Sequence, residues 1–217
     1  MNQESSPAMR VIAMVVSLLL PGACGGLDGG SSFTLEFPSS ESLGTLSIVE
    51  DVNCFTCGTG RQDLGAASGP VHVQLPAPHW YVSLKMPHAA ARLIPYVASP
   101  SLANLGELDL EGSDVTDADL RYLSELRLRS INLAHTMISG DGLTYVHEHP
   151  RWTWVNLQGC PRLNVESLVR FKGWKRATIR VTSSRDGHSD EDAHLLERAR
   201  HVICGDRPED VCGTQIR

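Results

Sequence analysis

Lysine is scarce in this chain, aromatic residues make up only 6% of it, and no apolar stretch is long enough to span a bilayer. The few lysines are scattered and the formal charge is −6. The basic stripe that nucleic-acid binding requires is therefore missing, and no nucleic-acid partner is expected. There is no GxSxG, no HExxH and no phosphate-cradling glycine loop, and the Ser and His residues show no order that suggests a triad. A triad assembled in space leaves no local trace, but the reading from the residues is a protein that is not an enzyme and uses no cofactor. What is present is enough apolar material for a core: 41% of 217 residues, one extended domain or two small ones.

The informative feature is a repeat between Leu105 and Val181. Leu108-Asp109-Leu110, Ile131-Asn132-Leu133, Val155-Asn156-Leu157 and Ile179-Arg180-Val181 are apolar-x-apolar triplets whose numbering steps by 23, 24 and 24 residues. Such a step is the period of a leucine-rich solenoid. Each triplet predicts a short strand with two side chains inward and the middle one outward. Three residues past the second apolar position come Ser113, Thr136 and Cys160, small polar groups suited to bonding neighbouring turns. Leu120 with Leu123, Leu143 with Val146 and Leu168 with Phe171 predict one face of a short helix on the convex side, and Thr116 with Asp119 forms a capping box.

Leu110-Glu-Gly-Ser-Asp-Val-Thr-Asp-Ala-Asp-Leu120 and Leu157-Gln-Gly-Cys-Pro-Arg-Leu163 resemble the cysteine-containing leucine-rich repeats, and the resemblance covers residues 102 to 182. The upstream stretch from Phe37 to Leu75 is similar to a strand-rich region of bacterial leucine-rich repeat proteins. The resemblance implies binding of other macromolecules and no common enzymatic activity. The expected fold is α/β, a short leucine-rich repeat solenoid with an N-terminal strand-rich cap and a C-terminal helical cap.

Residues 1–23 read as a signal peptide, with Arg10 before the ten-residue apolar run Val11 to Leu20. Gly22-Ala23-Cys24-Gly25-Gly26 is similar to a bacterial lipoprotein box, which implies lipidation at Cys24 and a membrane anchor. Pro21 departs from the usual Leu of that box, so simple cleavage and an uncleaved segment stay open, and Met9 is an alternative start. Residues 24–32 suit a flexible tether. Residues 33–101 form the strand-rich cap, with strands drawn at Phe33 to Phe37, Leu43 to Val49, Val71 to Leu75 and Trp80 to Met86, and a helix over His88 to Val97 that Pro95 ends or kinks. Residues 102–182 carry the repeats. Residues 183–217 hold a capping helix from Asp190 to about Val202, opened by Ser189 and Asp192, and a tail.

Cys160 reads as a buried thiol in the repeat, and Cys54 with Cys57 and Cys204 with Cys212 are disulfide candidates for an oxidising compartment, with cross-pairing open. Cys54-Phe-Thr-Cys57 also admits a redox role, the alternative function of an envelope thiol-disulfide protein, or a metal site. His147-Glu148-His149 and the acidic patch from Asp186 to His194 are weak metal candidates, the latter better explained by the helix start. No metal site is assigned.

Register places the outward residues on one face: Glu107, Asp109, Glu111, Ser130, Asn132, Ala134, Trp154, Asn156, Gln158, Thr178, Arg180 and Thr182. Glu107, Asp109, Asn132, Trp154, Asn156, Gln158 and Arg180 are the binding residues expected, with Trp154 as anchor, because an exposed indole beside amides suits an interface hot spot. The competing reading packs Trp152 and Trp154 against the next turn or Trp174. The function expected is a lipid-anchored cell-envelope protein, in the periplasm or at the cell surface, that binds a protein or other envelope macromolecule.

Overall fold

The computed structural model of the chain describes residues 30–51, 60–146, 154–168, 178–182, 190–204 and 215–216. They contain the strands β1 (Ser32–Glu36), β2 (Thr45–Glu50), β3 (Arg61–Ala66), β4 (Pro70–Gln74), β5 (Trp80–Lys85), β6 (Leu105–Asp109), β7 (Ser130–Asn132), β8 (Trp154–Asn156), β9 (Thr178–Arg180) and β10 (Gln215–Ile216), and the helix α1 (Asp190–Cys204). β1 and β4 form an antiparallel ribbon. The other strands make one eight-stranded sheet in the order β10-β9-β8-β7-β6-β5-β2-β3. β2 is antiparallel to β3 and β5, whereas β5 to β10 run parallel.

The apolar triplets explain the parallel half. Leu108, Ile131, Val155 and Ile179 stand opposite one another in register, and each is completely buried. Leu110, Leu133, Leu157 and Val181 form a second buried row beyond the strand ends. The ladder continues through that row, with the Leu110, Leu133 and Leu157 amides donating to Asn132, Asn156 and Arg180 carbonyls at 2.8, 2.8 and 2.7 Å. Full burial of each such side chain contributes about 1.5–3 kcal/mol, so these two rows form the spine of the core.

The expected α/β leucine-rich repeat solenoid with separate caps does not form; the fold is a mixed, sheet-dominated one. β5 bonds to β6 on one side and to β2 on the other, so the strands read as an N-terminal cap belong to the same sheet as the repeats. Among the described residues between β6 and β9 there is no α-helix. Asp119–Leu123 and Asp141–Tyr145 are single 3-10 turns, the short helical form common in connectors. The three-residue spacing of Leu120 and Leu123 fits the 3-10 period as well as a helix face, and both are buried. The capping geometry is nonetheless present, since the Asp119 carboxylate accepts from the Thr116 amide and hydroxyl at 2.8 and 2.7 Å.

Other local outcomes follow from single residues. Over the predicted helix His88 to Val97 the chain makes turns and then a 3-10 helix at Ile94–Ala98, with Pro95 at its start where a missing amide costs least. The end of the expected tether is structured: Ser32 opens β1, and Ser31 accepts from the Leu75 amide at 2.9 Å. β3 was not expected, because Arg-Gln-Asp-Leu-Gly-Ala carries almost no apolar alternation, and it pairs only with β2 at the edge of the sheet. α1 starts at Asp190 as the acidic first turn predicts and runs to Cys204. Asp117 ties adjacent turns together, its carboxylate accepting the Ser139, Gly140 and Gly142 amides at 2.6, 3.0 and 2.7 Å.

Candidate functional site

The outward residues of the strands line up across the sheet in two rows. One runs Ser47, Ser83, Glu107, Ser130, Trp154, Thr178, and the other Thr45, Lys85, Asp109, Asn132, Asn156, Arg180. All but Gln158 of the expected binding residues therefore stand on one surface, and Gln158 follows two residues behind Asn156. They are not equally accessible. Asn132 and Asn156 are only 8% and 6% exposed, and Ser130, Ala134 and Thr182 are also buried, which corrects their reading as exposed groups. The cause is local: the Asp109, Asn132 and Asn156 side-chain oxygens accept the amides of Glu111, Ala134 and Gln158 at 3.1, 3.2 and 3.1 Å. These are Asx turns that bend the chain out of each strand.

The acidic end of the face is internally paired. Glu107 accepts from the Ser83 hydroxyl at 2.8 Å and the Tyr81 hydroxyl at 3.2 Å. Asp109 lies 3.5 Å from the Lys85 ammonium. Arg129 sits over the Tyr81 ring, 5.4 Å from its centroid, and pairs with Asp51 at 3.3 Å. Burial, then the Glu107 charge, raises the Tyr81 hydroxyl pKa far above its ordinary range. The other end of the face holds the half-buried Trp154, Gln158 and Arg180.

At the edge where β6, β7 and β8 end, the turns carry residues of positive φ: Gly112 at 65°, His135 at 56° and Gly159 at 65°. The next residues are Ser113, Thr136 and Cys160. Thr136 donates to the Leu133 carbonyl at 2.6 Å, and the Cys160 thiol reaches the same carbonyl of the preceding turn at 3.1 Å. The Ser113 hydroxyl is buried and finds no acceptor among the described residues. Cys160 is a free thiol, and burial pushes its pKa up, which makes it a poor nucleophile. Beside this edge lies a cleft of about 490 Å³, lined by Lys85, Pro87, His88, Glu111, Gly112 and His135 together with Gly44, Thr45 and Met86. Sequence reading missed the two histidines here, because they come from different turns with no common motif.

A second group was also missed. Tyr96, Tyr122 and Tyr145 each fall in a 3-10 turn, and Tyr122 and Tyr145 are one 23-residue step apart, a signal readable in the sequence. Tyr96 and Tyr145 are 51% and 44% exposed. Arg121 lies over the Tyr122 ring, 4.8 Å from its centroid.

Cys204 is disulfide-bonded, and Cys160 is free, so the other half of the bridge lies outside the described residues. Cys212, Cys24, Cys54 and Cys57 all lie there, as do His147-Glu148-His149, Trp152 and Trp174. Among the described residues no three His, Cys, Asp or Glu side chains gather as a metal site, and no helix is long and apolar enough to cross a membrane. No protein-family model, curated protein or solved structure matches the chain.

Proposed function

We propose that the chain is an exported, lipid-anchored envelope protein that binds another macromolecule with the polar face of its sheet. The observation that carries this reading is the position of Trp154, half-buried, between Ser130 and Thr178 in register and one strand from Arg180. A partly exposed indole beside an amide and a guanidinium has the composition of an interface hot spot. With Glu107 and Asp109 held by neighbours and the two asparagines committed to turns, the reading centres on Trp154 and Arg180. The resemblance of residues 102 to 182 to repeats that bind macromolecules supports the same reading, and Cys24 in its lipoprotein-like box supports the anchor.

The test is the Trp154→Ala variant. Partner binding weakens by roughly tenfold or more, as at a hot spot, while the melting temperature stays near that of the parent. A large loss of stability with unchanged binding contradicts the assignment. Cys24→Ser abolishes incorporation of labelled fatty acid if the anchor is present.

The exposed tyrosines favour a second surface for the same function. Tyr96 and Tyr145 lie exposed on the turns outside the sheet, and Arg121, stacked on the half-buried Tyr122, adds the other residue type typical of interfaces. Loss of binding in Tyr96→Ala with Tyr145→Ala, and not in Trp154→Ala, moves the interface there.

A further inference from the structure

Where β5, β6 and β7 end, the turns part to leave the cleft of about 490 Å³, within the roughly 300–1,000 Å³ that small-molecule sites occupy. The carboxyl ends of parallel strands are also where open sheets tend to place ligands, since several turns converge there without backbone to fill the gap. We propose that this cleft binds a small carboxylic acid that also carries an ammonium or hydroxyl group, that is, an α-amino or α-hydroxy acid.

The lining sets that chemistry. Lys85 offers a cation whose side chain is 57% exposed and whose contact with Asp109, at 3.5 Å, is loose enough for a ligand carboxylate to compete. Glu111 lines the same cleft as an acceptor, held by the Asn132 amide at 3.1 Å. His88 lies 2.8 Å through Nδ1 from the Gly112 carbonyl. A carbonyl only accepts, so Nδ1 carries a proton and is committed to that bond. A carboxylate alone satisfies Lys85 and meets Glu111 unfavourably; an amine alone does the reverse. A molecule with both groups matches both sides, and Pro87 gives its carbon skeleton an apolar wall. Gly112 packs close to this imidazole: a Cβ there comes 3.3 Å from the exposed His88 ring, which must give by a few tenths of an ångström.

This site does not depend on macromolecular docking at Trp154. Isothermal titration calorimetry of the whole chain with the standard amino acids, lactate, malate, acetate and ethanolamine tests it. Saturable binding is expected for at least one amino or hydroxy acid, with acetate and ethanolamine weaker by roughly tenfold or more, since each loses one charged hydrogen bond. Lys85→Met and Glu111→Gln each weaken the bound acid by a similar factor, and Glu111→Gln keeps the side-chain shape should the lysine variant lose stability. The proposal is overturned if no amino or hydroxy acid binds saturably, if acetate binds as well as the best of them, or if both variants bind as the parent does.

Discussion

Three residues at equivalent points in successive turns have different fates. Ser113 is buried with no acceptor among the described residues, Thr136 bonds Leu133 at 2.6 Å, and Cys160 bonds the same carbonyl from the next turn. A buried hydroxyl without a partner gains nothing over a methyl, whereas losing a made hydrogen bond costs about 0.5–1.5 kcal/mol. Urea unfolding should therefore find Ser113→Ala within about 0.5 kcal/mol of the parent, or more stable, and Thr136→Val about 1 kcal/mol less stable. The reverse order contradicts the assigned bonding. Tyr81 gives a pH test. Its hydroxyl ionises far above the ordinary value of 10.0 in the folded chain, first because it is buried and then because Glu107 is near. The folded state keeps that proton longer than the unfolded state, so this contribution is intact below the unfolded pKa of 10.0 and is lost as pH rises above it. Thermal melts from about pH 9 to about pH 11 should show an alkaline decline that Tyr81→Phe flattens. An unchanged slope in the variant places the decline elsewhere.

The recurring element is the turn that leaves β6, β7 and β8: an Asx residue, an apolar residue, one further residue, then a left-handed one. Gly112 and Gly159 adopt that conformation at little cost, but His135 does so as a residue with a side chain. A Cβ on Gly159 runs into the His135 ring, so the two turns constrain each other. Gly159→Ala should cost roughly 2 kcal/mol or more, part from the left-handed backbone and part from that contact. His135→Gly should cost nothing measurable, and adding it to Gly159→Ala should return part of the loss. Strictly additive unfolding energies in that double-mutant cycle contradict the contact. The strand triplets were readable because burial imposes apolar residues at fixed steps. The Asx turns were not, since Asp109, Asn132 and Asn156 occupy outward positions that look equally suited to binding. The 3-10 turns were read as helices because their three-residue apolar spacing is common to both.

Across the whole molecule the parallel strands and the antiparallel hairpin are one sheet, joined at β5. Sequence periodicity located β6 to β9 and the buried rows, and the β-branched and aromatic runs located β1, β2, β4 and β5. It could not say that β5 would pair on both sides, because pairing depends on long-range register that no local pattern records. For the same reason it gathered Glu107, Asp109, Trp154 and Arg180 on one face while missing the cleft, whose groups come from Lys85 at the end of β5 and from His88, Glu111 and His135 in the turns after β5, β6 and β7. The central claim is that this face docks a partner around Trp154, and site-specific photocrosslinking tests it most directly. A photoreactive residue replacing Thr178, the register neighbour of Trp154, is compared with one replacing Thr144 on an outer turn. A discrete crosslinked product from position 178, lost when Trp154→Ala is added, is the result predicted. A product from position 144 alone, or one from 178 that Trp154→Ala leaves intact, contradicts it.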